Sequence, residues 1–88
     1  MSVPVKIYTT SYCGYCRMAK ALLTSRKIAF EEVDVTTDAD TREWLVKETG
    51  RRTVPQIFIG DESIGGYQEL TALDANGELA AWIRGDAT

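Results

Sequence analysis

Hydrophobic and polar positions alternate with period two in some stretches and recur at helical spacing in others, and the switches between them predict the elements. Val5–Thr9 (Val-Lys-Ile-Tyr-Thr) alternates and is rich in β-branched residues, as a short strand is. Thr10–Tyr12 reads as a turn. From Cys13 to about Lys27, Met18, Ala19, Leu22 and Leu23 recur at helical spacing, which predicts an amphipathic helix. Ile28–Val35 predicts a second strand, with Phe30, Val33 and Val35 separated by acidic residues. Thr37 or Asp38 can cap a second helix that carries Trp44, Leu45 and Glu48 and stops at Gly50. Arg51–Val54 is a basic loop into Pro55. Gln56–Ile59 and Glu62–Ile64, joined by Gly60-Asp61, read as a hairpin. Gly65-Gly66 breaks the chain before a helical stretch from Tyr67 to about Ile83, interrupted near Asn76-Gly77.

The order is β-α-β-α-β-β-α, without repeat or linker, over one domain spanning residues 1–88. A strand-helix-strand start implies a parallel pair with a right-handed crossover. The hairpin adds two antiparallel strands, so the expected fold is an α/β four-stranded mixed sheet flanked by helices. Phe30, Trp44, Ile57, Phe58 and Leu22 are the expected core.

Composition narrows the chemistry. With 44% apolar and 26% charged residues in 88, the chain reads as one soluble globular domain. Its net charge of -3 argues against a nucleic-acid partner. No window approaches the ~18 apolar residues of a membrane span, and the N-terminal segment turns polar too soon for a signal peptide. The expected compartment is the cytoplasm. Histidine is absent, which removes Ser-His-Asp triads, Cys-His pairs and imidazole-bound zinc. Two cysteines cannot build a multi-bridge framework or a four-thiolate metal site within one chain.

Those cysteines form a C-x-x-C, Cys13 and Cys16, where the first strand gives way to the first helix. Unpaired backbone N–H groups and the helix dipole stabilise a thiolate there, and cysteines so placed have pKa values of ~3.5–7.5 against ~8.5 when free. Cys13 is therefore the expected attacking thiol and Cys16, one turn in and more buried, its resolving partner. Near neutral pH, full ionisation gains only about 14-fold in thiolate, while a pKa lowered by ~3.5 units costs roughly 25- to 60-fold in nucleophilicity. Departure is what improves, because a low-pKa thiolate leaves readily when another thiol attacks its mixed disulfide. The arrangement suits oxidoreductase chemistry. The alternative is a structural bridge or two inert cysteines, although so short a loop stabilises little and a reducing cytosol opposes it.

The sequence resembles the glutaredoxins, small proteins of the thioredoxin fold, from Val5 to about Leu79. Four segments carry the likeness: Cys13-Gly-Tyr-Cys16 with Ala19-Lys20, Thr53-Val54-Pro55 with Gln56–Ile59, the Ile64-Gly-Gly66 turn, and Leu70–Asp74. The resemblance implies a dithiol enzyme that reduces protein–glutathione mixed disulfides and protein or small-molecule disulfides, with glutathione as electron donor. Partners would be glutathione and glutathionylated or disulfide-containing proteins, such as a ribonucleotide reductase.

Cys13 and Cys16 are then catalytic. Pro55 would be cis, with Val54 pairing its main chain to the cysteinyl unit of glutathione beside Thr53. The Gly66 turn, with the N–H groups of Tyr67 and Gln68, would hold the γ-glutamyl carboxylate. Arg42 matches a position that serves the glycyl carboxylate, Arg51 and Arg52 stand close enough in sequence to contribute, and Tyr15 would flank the sulfur. Lys20 matches a frequent family lysine, for which a solvated position is an equal expectation.

Three departures bear on function. Thr10 stands where a lysine is common, a loss for which Arg52 would compensate. Tyr67-Gln68-Glu69 replaces Cys-Asp-Asp, so Gln68 or Glu69 must replace an aspartate that meets the γ-glutamyl ammonium. Gly14 replaces the usual proline, as in relatives that bridge a [2Fe–2S] cluster between two chains. That makes a cluster carrier or redox sensor the alternative, with Cys13 and one glutathione from each chain as ligands and a monomer otherwise. A relative reduced by thioredoxin reductase is a third reading, which the Gly-Gly turn and the basic cluster oppose.

Overall fold

The computed structural model describes residues 3–85. Its elements are β1 (Val5–Thr9), α1 (Gly14–Ser25), β2 (Glu31–Asp34), α2 (Ala39–Thr49), β3 (Gln56–Ile59), β4 (Glu62–Gly65), α3 (Tyr67–Ala75) and α4 (Glu78–Arg84). The strands form one mixed sheet ordered β2-β1-β3-β4, with β1 parallel to β2 and antiparallel to β3. Alternation along β1 divides its side chains between two cores. Val5 and Ile7 join Ala19, Leu23, Ile57, Ile59, Leu70 and Leu79 on one face. Tyr8 joins Val35, Leu45 and Phe58 on the face covered by α2.

Local signals explain most boundaries. Asp38, rather than Thr37, caps α2: its carboxylate accepts the Thr41 N–H at 3.1 Å and the Thr41 hydroxyl at 2.7 Å. Gly50 ends α2 at φ 73°, a left-handed conformation open to glycine. The last helical stretch is two helices, α3 and α4, parted at the expected Asn76-Gly77.

Other expectations needed correction. The first helix stops at Ser25 and β2 begins only at Glu31, because Lys27 and Ile28 close a Schellman motif. The Lys27 N–H donates to the Thr24 carbonyl at 3.0 Å and the Ile28 N–H to the Leu23 carbonyl at 2.9 Å. Lys27 takes φ 58° without being glycine. Trp44, expected in the core, is 42% exposed at the margin of the sheet, and Met18 also faces solvent. Leu22 and Phe30 are only half-buried. Strand β4 extends one residue further, to Gly65.

Candidate functional site

Cys13 is the N-cap of α1, with an extended backbone. Its sulfur accepts the Cys16 N–H at 3.0 Å, so one of the helix's free donors points at it. Its own N–H donates to the Thr10 carbonyl at 3.4 Å, closing the turn after β1. The Val54 carbonyl oxygen lies 3.5 Å from the same sulfur, which joins the end of β1 to the loop before β3. Cys13 is half-buried and Cys16 is 1% exposed; the two are paired as a disulfide. Cys16 is thus the more buried of the two, as its place one turn into the helix led one to expect. A β-carbon built on Gly14 meets nothing within 4 Å, so packing does not demand glycine there.

The Val54–Pro55 bond is cis, as the resemblance implied. Pro55 is buried, and its carbonyl oxygen would lie 3.1 Å from a β-carbon on Gly66. This close approach brings the Gly-Gly turn against the Thr53–Pro55 loop. Between them lies a notch of about 200 Å³ lined by Tyr15, Thr53, Val54, Pro55, Gly66, Tyr67 and Gln68, with Arg51 and Glu69 at its side. An adjoining open cleft of about 760 Å³ shares Arg51, Thr53 and Val54 with the notch and adds Arg42 and Arg52. Every residue expected to bind glutathione thus lines one of two clefts that meet at Thr53-Val54.

Electrostatics separate the three arginines. Arg51 Nη1 donates to Glu69 Oε1 at 3.0 Å, and the same oxygen accepts the Gly66 N–H at 2.7 Å. The Gly66 N–H, and secondarily Arg51, hold the Glu69 carboxyl below the usual carboxylate range. A β-carbon on Gly65, at φ +105°, would lie 2.6 Å from Glu69 Oε1, so the turn leaves room for that carboxylate. Glu69 is therefore already engaged. Arg42 and Arg52 are exposed and pair with no carboxylate among the described residues.

Sequence reasoning missed the Glu69 latch, although Gly66-x-x-Glu69 has the spacing at which an N3 glutamate reaches back to an N-cap N–H. Tyr67 was expected only as a main-chain donor, whereas its ring also lies 5.9 Å from that of the 61%-exposed Tyr15. Lys20 is outside the clefts. Its Nζ donates to Glu32 at 2.9 Å, and Glu32 also accepts the Thr9 hydroxyl at 2.7 Å. Thr10 is buried, with no partner for its hydroxyl. The described residues contain no cluster of three or more His, Cys, Asp or Glu able to hold a metal ion. None of their helices is long and apolar enough to cross a membrane.

Comparison with known proteins agrees with this architecture. A family model described as Glutaredoxin matches residues 5–64. Glutaredoxin 3 of Escherichia coli (strain K12) is 51% identical over 75 residues, covering 85% of this chain and 90% of the relative. The solution structure of glutaredoxin from Brucella melitensis superposes with a TM-score of 0.88 at 38% identity, over 99% of this chain and 95% of that one. A buckwheat glutaredoxin–glutathione complex superposes with a TM-score of 0.86 at 28% identity, over 92% and 76%. The mixed sheet, the Cys13–Cys16 pair and these likenesses agree: the chain belongs to the glutaredoxin family of thiol–disulfide oxidoreductases.

Proposed function

We propose that this chain is a dithiol reductase that uses glutathione, acting in the cytoplasm, where glutathione is kept reduced. One observation carries the reading: the Cys13 sulfur receives a helix N–H at 3.0 Å while standing 3.5 Å from Val54, where the two clefts meet. The donor favours the thiolate, and the clefts offer a peptide main-chain and cationic partners. The buckwheat relative's glutathione complex supports the choice of tripeptide.

In the first step the Cys13 thiolate attacks the glutathionyl sulfur of a mixed disulfide. The target leaves as a thiolate and takes a proton from solvent, and glutathione remains on Cys13. A second glutathione thiolate attacks that glutathionyl sulfur, forming oxidised glutathione and returning Cys13 as thiolate. In net terms the mixed disulfide and one free glutathione give the target thiol and oxidised glutathione, with Cys13 unchanged. With a protein disulfide, such as that of a ribonucleotide reductase, Cys13 forms the mixed disulfide and Cys16 displaces the second target thiol. The products are the reduced target and the Cys13–Cys16 disulfide, which two glutathiones then reduce.

Val54 would pair with the cysteinyl main chain beside Thr53 and Pro55. Tyr67 and Gln68, whose N–H groups open α3, would receive the γ-glutamyl carboxylate at Gly66. Arg42 and Arg52 would receive the glycyl carboxylate, and Tyr15 would cover the sulfur. Kinetics with a glutathionylated peptide and with a protein disulfide test the roles. Cys16→Ser should keep the first activity and lose the second, and Cys13→Ser should lose both. Residual deglutathionylation by Cys13→Ser would overturn the assignment.

The cluster-bridging alternative fits the residues only through Cys13, since Cys16 is buried and no other cysteine exists. Two chains and two glutathiones would have to supply the four thiolates of a [2Fe–2S] cluster. A colourless monomer after anaerobic reconstitution with glutathione would reject it.

A further inference from the structure

The α2 face of the sheet carries a second feature that the thiol chemistry does not use. An open cleft of about 780 Å³ lies there, lined by Tyr8, Phe30, Trp44 and Phe58, with Glu31, Glu48, Asp61 and Lys6 among its polar members. Its aromatic floor is ordered. The Trp44 ring stacks on Phe58 at 5.9 Å and 26°, and Tyr8 lies 5.8 Å from Trp44 and 5.6 Å from Phe58. Tyr8 and Phe58 are buried beneath it, but Trp44 stays 42% exposed, so its indole is the aromatic surface open to a ligand.

The charges around that floor are one-sided. Three carboxylates face one ammonium, and none of Glu31, Glu48, Asp61 and Lys6 makes an ion pair among the described residues. Lys6 stands opposite Glu31 in the β1–β2 register and offsets that carboxylate most directly. Glu48 follows Trp44 by one helical turn, so it lies on the same face of α2. Indole beside carboxylate suits a guanidinium, which stacks flat on aromatic rings and pairs with carboxylates through its fork. An ammonium is a compact, strongly hydrated point charge and uses the flat ring less well. The cleft exceeds one side chain and is within the size range of sites that hold small ligands.

We propose that this cleft docks an arginine-bearing segment of a partner protein. It runs along β1 from Val5 to Tyr8 and reaches the end of β3, whereas Cys13 and Val54 stand beyond the other ends of those strands. The five-residue strand β1 is about 16 Å long, so a folded partner can hold the cleft while presenting a disulfide to Cys13. The docking is separable from the glutathione reading, because it can be measured without turnover.

The test is a titration of the oxidised protein with acetyl-Arg-Leu-Arg-amide, followed by amide and indole NMR signals. Acetyl-Lys-Leu-Lys-amide and acetyl-Glu-Leu-Glu-amide are run in parallel. Saturating shifts at the Trp44 indole and around Tyr8 and Phe58 are expected with the arginine peptide. The lysine peptide should bind several-fold more weakly and the glutamate peptide not at all. Glu48→Gln should weaken the arginine peptide by about fivefold, the upper range for one exposed ion pair, and Trp44→Leu should erase the preference for arginine over lysine. Equal binding of all three peptides, shifts centred on Arg42 to Val54, or concentration-dependent self-association through this face without peptide would each overturn the proposal.

Discussion

Replacing Glu69 separates the two tasks of its carboxylate, the cap on Gly66 and the pair with Arg51. A hydrogen bond to a charged acceptor contributes about 1.5–3 kcal/mol. The ion pair has both side chains more than a third exposed, so screening holds it to about 0–1 kcal/mol. Glu69→Ala should therefore cost about 2 kcal/mol, which for a chain of this size lowers Tm by about 8–16 °C. Glu69→Gln keeps an oxygen for the Gly66 N–H and should cost about half as much. The carboxyl is held low by the Gly66 N–H first and Arg51 second. A depressed acid contributes stability that is fully present above its unfolded value of about 4.3 and lost as pH falls through the lower folded value. Urea unfolding at pH 7 and near pH 3 measures this: the difference between wild type and Gln should shrink in acid. Because the latch frames the N–H groups that open α3, Ala should also raise KM for a glutathionylated peptide, Gln should restore part of it, and kcat should hold. Equal losses for Ala and Gln, or a difference independent of pH, would refute the latch.

Arg52→Ala should raise KM for the glutathionylated peptide, since Arg52 and Arg42 are the cleft's arginines without a carboxylate partner among the described residues; an unchanged KM would remove Arg52 from the site. Lys27→Gly should stabilise the chain by about 0.5–1 kcal/mol, because the left-handed conformation costs an L-residue about 1–2 kcal/mol, part of which glycine's extra unfolded freedom cancels. A Tm that fails to rise would contradict this. Lys20 first and Thr9 second hold the Glu32 carboxyl below its usual range, so wild type should exceed Glu32→Gln in stability at pH 6–7 and lose the advantage below about pH 4. Equal unfolding midpoints at pH 7 would argue against it.

What was legible in the sequence followed from periodicity and from caps with familiar side chains. Strand β1 alternates and α2 starts at an aspartate and stops at a glycine, so each was placed closely. The end of α1 was hidden because the left-handed position belongs to Lys27, and without a glycine the motif leaves little trace in composition. That error passed to β2, since Ile28 looked like strand but packs as the residue that closes the helix end. Trp44 shows what a helical period can tell: it reports a face, not the depth of that face. Cys13 was readable because its chemistry depends on its place in the chain, just before a helix. The pairing of Arg51 with Glu69 spans 18 residues and arises only when the loop after α2 meets the start of α3.

The net charge of -3 conceals a polarised surface. Arg42, Arg52 and Lys47 line the cleft that reaches Val54, with Glu43 there as well, while Glu31, Glu48 and Asp61 surround the aromatic cleft. The two clefts adjoin along α2, where Glu43 and Lys47 line the first and Trp44 and Glu48 the second, within the roughly 8 Å over which fields decay at physiological ionic strength. An approaching partner therefore meets the charges of both clefts, and those on α2 partly offset one another. The engagement of Arg51 by Glu69 leaves Arg42 and Arg52 as the guanidinium groups of the first cleft without a carboxylate partner among the described residues. An acidic protein thus presents a cationic cleft and an acidic aromatic one side by side, so a charge bound in either changes the field in the other.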